Sequence, residues 1–126
     1  MHRLLLDTHI LYWWFYEHQK VSQEAFEVIK SADEVFFSAA SIWEIAIKVR
    51  LGKMTADPLK IIHWTGQNDF IELPILSRHG AVVATLPMHH TDPFDRLLVA
   101  QAISEPLHLL TVDSKLKPYS ELVIQV

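Results

Sequence analysis

Short apolar runs alternate with amphipathic segments along the chain. Five runs rich in Leu, Val, Ile or Phe are too short for helices, and they predict buried β-strands. They cover residues 2–6, 35–37, 70–73, 107–112 and 122–126. The segments between them repeat their apolar residues at helical spacing, so strands and helices alternate in the predicted fold.

Capping residues and prolines set the ends of the predicted helices. Ser22 is a favourable N-cap, Pro58 and Pro93 suit the first position of a helix, and Gly52 suits a C-terminal stop. The first predicted helix ends at residue 16, the second spans 22–32, and the third runs from Ser38 or Ser41 to 51. The fourth begins at 57–58, the fifth spans 77–86, and the sixth runs from 92 to the residue before Pro106. A short helical turn is predicted between the last two strands.

Short strands that alternate with helices predict an α/β fold. The strands lack a polar face, so we expect a mostly parallel sheet of about five strands that is covered by helices on both faces. Ligands of such open sheets bind in the crevice outside the carboxyl ends of the strands. The residues that follow each strand are therefore the first place to look for chemistry.

The composition fits one domain and excludes several kinds of site. The chain has 126 residues, of which 50% are hydrophobic and 21% charged, which is enough apolar material for a packed core. It has no cysteine, which excludes disulfide scaffolds, thiolate metal sites and cysteine nucleophiles. The longest apolar run, residues 10–16, is far below the roughly 20 residues that span a bilayer. We expect a single domain over residues 1–126 of a soluble, cytoplasmic protein.

Five acidic residues lie where a sheet of this kind would bind a ligand. Asp7 and Asp113 each follow a predicted strand directly, so parallel pairing would bring both to one edge of the sheet. Asp92 and Asp95 lie three residues apart, on the same side of the first turn of a helix. Glu44 lies inside a helix whose neighbouring residues are nearly all apolar. We expect these carboxylates to converge.

Each acid also has a structural explanation. Asp92 can cap a helix, and the acid three residues later can complement the helix dipole. Asp113 can turn the chain after a strand. Glu44 can pair with Lys48, although a weak exposed pair does not account for an acid in so apolar a helix. Asp7 is the hardest to explain in this way, because an acid at the end of a buried strand is costly to desolvate.

Converging carboxylates need a counter-charge. At about 4 Å and an effective dielectric near 20, each like-charged pair costs on the order of 4 kcal/mol. A divalent cation removes that repulsion, and oxygen ligands without thiols favour Mg²⁺ or Mn²⁺, which can hydrolyse phosphodiesters. The net charge of −4 does not exclude such a polyanionic substrate, because removing these five from the 15 acidic residues leaves 10 against 11 Lys and Arg.

Four segments of the sequence together resemble a known family. They are Leu4 to His9, Ser41 to Glu44, His90 to Arg96, and Leu110 to Asp113. In this order and at these separations they resemble the signature blocks of PIN-domain ribonucleases, most closely the VapC-type toxins of toxin–antitoxin pairs. The resemblance covers essentially the whole chain and implies a three-layer α/β/α fold with a mostly parallel central sheet.

The resemblance also implies an activity and its residues. It implies an endoribonuclease that depends on Mg²⁺ or Mn²⁺, forms a homodimer, and is inhibited by a cognate antitoxin that covers its cleft. Asp7, Glu44 and Asp95 match the three core acids of the family, and Asp113 matches a fourth. Asp7 and Asp95 would bind metal directly, whereas the other two would hold a second metal or act through water. Further matching positions are Thr8 and Asp92.

Basic residues and histidines near the acids have other expected roles in this scheme. Lys48, Arg96 and Lys115 are expected to contact RNA phosphates. His89 and His90 are adjacent, so their side chains point in different directions, and no partner follows at helical spacing. We therefore expect them to stay outside the site.

The predicted first helix carries four consecutive large rings, residues 13–16. One helix cannot direct all four at a single core, so some are expected to face outward, as an interface for a second copy or for an antitoxin. The alternative is that this end of the helix is more buried than expected. His9 on the same helix can line the cleft or pack at the surface.

Two other functions compete with the nuclease. A Mg²⁺-dependent phosphatase would use Asp7 as its nucleophile, but that chemistry usually has a second acid two residues later, where this chain has His9. A binding module for RNA or protein with a degenerate site would lack one or more core acids, and none is missing.

Overall fold

The computed structural model describes residues 2–126 as a five-stranded sheet between two layers of helices. The strands are β1 (Arg3–Leu6), β2 (Glu34–Ser38), β3 (Ile71–Leu73), β4 (His108–Thr111) and β5 (Val123–Gln125). The α-helices are α1 (Thr8–Tyr16), α2 (Gln23–Ser31), α3 (Ala39–Arg50), α4 (Pro58–Gln67), α5 (Ser77–Val83) and α6 (Pro93–Ser104), and two 3-10 helices cover His18–Lys20 and Ser114–Tyr119. Over this part of the chain, none of the helices combines the length and apolar character that a bilayer crossing requires.

The strands lie in the order β3-β2-β1-β4-β5, and every neighbouring pair is parallel. At the centre of the sheet, Leu5 of β1 lies opposite Phe36 on one side and Leu109 on the other. The predicted α/β fold with a mostly parallel sheet is confirmed. Because all five strands point the same way, the residues that follow β1 and β4 meet at one edge.

Alternating side chains of β1 build a separate core on each face of the sheet. Leu4 and Leu6 join a cluster that includes Ile45 of α3 and buried residues from α1, α2 and α4. Leu5 faces the opposite way and packs with Leu98 of α6 in the second cluster. Helices α1 to α4 therefore cover one face, and α6 covers the other, with α5 packed against α6.

Side-chain caps fix the starts of several helices as the sequence predicted. Ser22 accepts a hydrogen bond from the N–H of Ala25, and Asp57 caps α4 in the same way. Of the two serines considered for α3, Ser38 is the cap, because Ser41 lies within the helix. Gly52 follows the end of α3 with a φ of 74°, a left-handed conformation that glycine adopts without strain.

The four consecutive rings of α1 are half-buried instead of forming an exposed patch. Trp14 stacks on Phe26 of α2 with ring centroids 5.7 Å apart, and Phe15 lies 5.9 Å from the ring of Trp64 in α4. Helices α2 and α4 flank α1 and give successive rings different partners, and the predicted interface on the exposed part of this helix stays a prediction. The alternative of greater burial holds in part, since each of the four rings is partly buried and partly exposed.

Candidate functional site

Asp7 directly follows β1, and two hydrogen bonds fix its carboxylate. Oδ1 accepts from the backbone N–H of Ile10 at 2.9 Å, which caps α1, and Oδ2 accepts from the hydroxyl of Thr111 at 2.6 Å. Thr111 is the last residue of β4, so the parallel pairing of β1 and β4 brings its hydroxyl to Asp7. Burial raises the pKa of Asp7, and the nearby charge of Glu44 raises it further, although these two hydrogen bonds and His9 act in the opposite direction.

Glu44 lies on the buried side of α3, with only 3% of its surface exposed. Its Oε2 lies 2.8 Å from Nζ of Lys48. Its Oε1 is buried and accepts no hydrogen bond from residues 2–126. The ion pair considered from the sequence is therefore present, but it satisfies only one oxygen. A buried carboxylate oxygen without a donor is costly unless a cation reaches it.

Asp95 lies in the first turn of α6, close to three other acids. Burial raises its pKa to about 7, and the negative charges of Asp92, Glu44 and Asp7 contribute. Asp92 is the N-cap of the helix, because its Oδ1 accepts from the N–H groups of Phe94 and Asp95. The capping explanation therefore applies to Asp92, while the charges of Glu44 and Asp7 act on Asp95 from α3 and from the residue after β1.

His90 bridges Asp95 and Asp113. Its Nε2 lies 3.0 Å from Oδ2 of Asp113 and 3.1 Å from Oδ2 of Asp95. Its Nδ1 accepts from the backbone N–H of Thr91, so Nε2 carries the hydrogen and donates to Asp113. One ligand atom from each of the three residues lies within 4.8 Å of the others, close enough for the group to hold a metal ion.

The expectation that both adjacent histidines stay outside the site is wrong for His90. The two side chains do diverge, since His89 packs edge-to-face on Tyr119 with ring centroids 4.9 Å apart. The partners of His90 come from the next helix and from the end of β4, not from helical spacing. A sequence signal was present, because His90 begins one of the four segments that resemble the PIN-domain blocks.

Two buried hydroxyl contacts connect the elements that carry the acids. Thr8, predicted as part of the site, donates from Oγ1 to Oγ of Ser41 at 2.9 Å. This bond joins α1, directly after Asp7, to α3 one turn before Glu44. Thr111, which holds Asp7, was not predicted. Its signal is a polar residue at the buried end of a strand, directly after two buried leucines.

The basic residues expected to contact RNA differ in whether their side chains are free to reach a phosphate. Arg96 is buried, and it donates to the carbonyl oxygens of Pro87 and Val83 and to the hydroxyl of Tyr119. This corrects the prediction for Arg96, because its guanidinium already ties the segment before α6 to the helix. Lys48 is paired with Glu44, and Lys115 is exposed.

A comparison with known proteins assigns the family. The model of the PIN domain matches residues 4–122. The chain belongs to the PIN-domain family. This PIN domain is 31% identical over 122 residues to Ribonuclease VapC22 of Mycobacterium tuberculosis, with 94% of this chain and 93% of that protein aligned. The resemblance predicted from the four segments is confirmed.

Solved toxin–antitoxin structures share the fold of this PIN domain. VapBC2 from Rickettsia felis, bound to a DNA fragment from its promoter, superposes with a TM-score of 0.71 at 16% identity, covering 98% of this chain and 96% of that chain. A toxin–antitoxin complex from Klebsiella pneumoniae gives 0.68 at 17% identity, covering 98% and 97%. At these identities the likeness is one of fold.

The acids of this PIN domain fit a divalent cation. The donor set consists of carboxylate oxygens, which Mg²⁺ and Mn²⁺ prefer. The pKa values of Asp7 and Asp95 are raised, which is expected of acids that lack a compensating cation. The unpartnered Oε1 of Glu44 offers a further ligand atom.

Proposed function

We propose that this protein is a Mg²⁺-dependent endoribonuclease, the toxin of a toxin–antitoxin pair, formed by a single PIN domain over residues 1–126. The observation that carries the proposal is that the charges of Asp7, which follows β1, and of Glu44 in α3 act on Asp95 in α6, while one buried oxygen of Glu44 has no donor among residues 2–126. The relative named Ribonuclease VapC22 supports RNA as the substrate.

Asp7, Glu44 and Asp95 would hold the metal, and Asp113 would contribute directly or through water. When bound, Mg²⁺ or Mn²⁺ would lower the pKa of water and offset charge on the leaving oxygen. The hydroxyl of Thr111 and the N–H of Ile10 keep the Asp7 carboxylate in one orientation. Such fixed orientation is what a ligand set needs, because metal ligands are held by the groups that hydrogen-bond to them.

His90 and Lys48 act on the acids as positioning residues in this scheme. His90 donates from Nε2 to Asp113, and the same atom lies 3.1 Å from Oδ2 of Asp95, so the imidazole holds the two carboxylates apart at a fixed distance. The ammonium of Lys48 compensates the charge of Glu44 on one side and leaves Oε1 to the cation.

We extend the proposal to its partners: a cognate antitoxin that covers the cleft, a second copy of the chain, and a cytoplasmic location where RNA is met. The toxin–antitoxin complexes of the same fold support the antitoxin. An exposed apolar surface lies beside the acids, since Trp43, 61% exposed, packs on Phe94 at 5.3 Å between ring centroids. These two residues precede Glu44 and Asp95 in the sequence, so a partner bound there would obstruct the site.

Cleavage of single-stranded RNA with and without Mg²⁺ tests the activity. We expect Asp7→Asn to reduce cleavage by more than about a hundredfold, because it removes a ligand charge. Circular dichroism should show an intact fold. Asp33→Asn is the matched control, since Asp33 is an exposed acid remote from the site and should leave cleavage unchanged.

Three outcomes would contradict the proposal. Undiminished cleavage by Asp7→Asn would remove the assignment of that residue. Hydrolysis of a generic phosphomonoester without RNA cleavage would indicate a phosphatase instead. RNA binding without cleavage in either Mg²⁺ or Mn²⁺ would indicate a binding module.

A further inference from the structure

A concave pocket of about 430 Å³ opens between α1 and the loop that follows α3. Its walls include His9 and Trp13 from α1, Lys20 from the first 3-10 helix, and Lys53 from the loop. None of these residues belongs to the carboxylate cluster. The pocket combines ring faces with ammonium groups, which is the usual composition of surfaces that bind single-stranded nucleic acid.

The aromatic wall of the pocket lies on one face of α1. His9 and Trp13 are four residues apart, and their ring centroids lie 5.9 Å from each other at an interplanar angle of 54°. The ring of His9 is exposed, whereas that of Trp13 is half-buried and anchored in the core cluster. A flat, unpaired base can pack against such a wall without base-specific hydrogen bonds.

The charge of this pocket differs from that of a second pocket, which is lined partly by Lys30. Lys20 and Lys53 face one acid, Glu17, whose Oε1 lies 3.1 Å from Nζ of Lys20. The other pocket, of about 250 Å³, has Lys30 together with three acids, Asp33, Glu34 and Asp69. A local excess of positive charge in a chain of net charge −4 favours a polyanionic occupant at the first pocket only.

The pocket adjoins the acids through both of its walls. His9 follows Asp7 by two residues, and its charge acts on that carboxylate. The backbone N–H of Lys53 donates to the carbonyl oxygen of Lys48 at 2.8 Å. The loop is thereby attached to the last turn of α3, the helix that carries Glu44. An occupant of the pocket would lie next to a substrate held at the acids.

We propose that this pocket binds one unpaired nucleotide of the RNA beside the cleaved bond, with its base against His9 and Trp13 and its phosphate at Lys53. This inference rests on the proposed nuclease function. It assigns the substrate contacts to α1 and the loop after α3, in place of the buried Arg96. It also implies a substrate that is single-stranded at the cleavage site, because a paired base could not enter the pocket.

Binding of a fluorescent single-stranded oligoribonucleotide tests the inference separately from catalysis. The measurement uses the Asp95→Asn protein, which we expect to bind without cleaving, and compares His9→Ala, Lys53→Gln and Lys30→Gln added to it. His9 and Lys53 are exposed, so neither change should disturb the fold. Lys30→Gln is the matched control in the acidic pocket.

We expect His9→Ala and Lys53→Gln each to raise the Kd about fivefold to tenfold, and Lys30→Gln to change it less than twofold. Lys53→Gln should also lower the slope of log K against log salt by about 0.7, the value for one phosphate contact on a single strand. Placing an abasic site at each position of the RNA should reveal one position where the effect of His9→Ala disappears and that of Lys53→Gln remains.

Equal Kd values and salt slopes for Lys53→Gln and Lys30→Gln would overturn the inference, and so would a loss of affinity that no abasic position removes. A pocket that serves a protein partner would give unchanged RNA binding in all three variants, which also overturns it. If the unsubstituted protein cleaves RNA in that case, the proposed function still stands. If the unsubstituted protein binds RNA through the pocket but never cleaves it, the proposed nuclease function fails, whereas the RNA-binding role of the pocket still stands.

Discussion

Helix α6 has a carboxylate near each end, and the surroundings of the two are opposite. Asp95 in the first turn is close to three acids, and burial raises its pKa to about 7. Glu105 is the C-cap, and hydrogen bonds from His79 and Arg78 lower its pKa. The helix dipole favours a negative charge at the first end and disfavours it at the last. The pKa values of both acids therefore move against the dipole.

The comparison shows which effect decides the charge of an acid in this protein. The dipole contributes about 0.3–1 kcal/mol, whereas a pKa moved from 3.8 to about 7 corresponds to about 4 kcal/mol. The charge of Glu105 is stabilised by two groups of the same chain, the side chains of His79 and Arg78. The imidazole of His90 faces Asp95 together with the charges of Asp92, Glu44 and Asp7, so the proposed cation would supply the counter-charge. The acid at the C-terminal end of α6 is neutralised by groups of the chain, whereas the acid at the N-terminal end would be neutralised by the proposed cation.

The largest contrast should appear in RNA cleavage. We expect Asp95→Asn to lower the cleavage rate more than about a hundredfold, since it removes a ligand of the proposed metal, and Glu105→Gln to leave the rate within about threefold. Single-turnover cleavage at saturating Mg²⁺ measures both. Comparable losses in the two variants would mean that the ends of the helix do not differ in function.

Binding of Mg²⁺ should show the next largest contrast. A ligand at a hundred times its Kd stabilises the folded state by about 2.7 kcal/mol, so the Tm of the unsubstituted protein should rise with Mg²⁺ concentration. We expect Glu105→Gln to keep this rise and Asp95→Asn to lose most of it. A rise that is the same in Asp95→Asn would place the metal elsewhere.

The sequence predicted the fold and the acids for the same physical reason. Parallel strands that are apolar on both faces dictate a covered sheet, and such a sheet brings the residues after its strands to one edge. Asp7 and Asp113 were found from position alone. Glu44 was found because an acid in an apolar helix has no adequate structural explanation.

The contacts that the sequence did not predict depend on distant parts of the chain. His90 lies 23 residues from Asp113, and Arg96 is buried only because the segment before α6 folds back over it. The rings of α1 are covered because α2 and α4 both flank that helix. Neither the periodicity nor the spacing of residues predicts these contacts, because they depend on how the helices pack on the sheet.

The pH dependence of metal-free stability should also distinguish the two ends. The pKa of Asp95 is about 7 when folded, against an ordinary 3.8, so between these values the folded state binds a proton that the unfolded state does not. Stability should therefore fall as pH rises from 5 to 8, by about 2 kcal/mol. Asp7, whose pKa is also raised, acts in the same direction.

Urea unfolding in EDTA at several pH values measures this slope. We expect Asp95→Asn to flatten it and to be the more stable protein at pH 8, because the uncompensated charge is gone. If Asp95→Asn is less stable than the unsubstituted protein at pH 8, the carboxylate has a structural role.

The smallest effect should come from substitution of Arg78, an exposed residue whose side chain reaches Glu105 at the C-terminal end of α6. Its side chain is 59% exposed, and its guanidinium donates to the Oε2 of Glu105 that also accepts from Nε2 of the buried His79. We expect Arg78→Gln to cost less than about 1 kcal/mol, because exposed ion pairs contribute little and His79 remains in place.

Since the pKa of Glu105 is lowered on folding, the stability from these contacts is complete above its ordinary pKa of 4.5 and is lost as pH falls through the folded value. The difference between Arg78→Gln and the unsubstituted protein should therefore be visible at pH 7 in urea unfolding and should shrink below about pH 4. A cost of several kcal/mol at pH 7, or a difference that does not change with pH, would show that Arg78 supports the fold through packing. In that case the lowered pKa of Glu105 would depend mainly on His79.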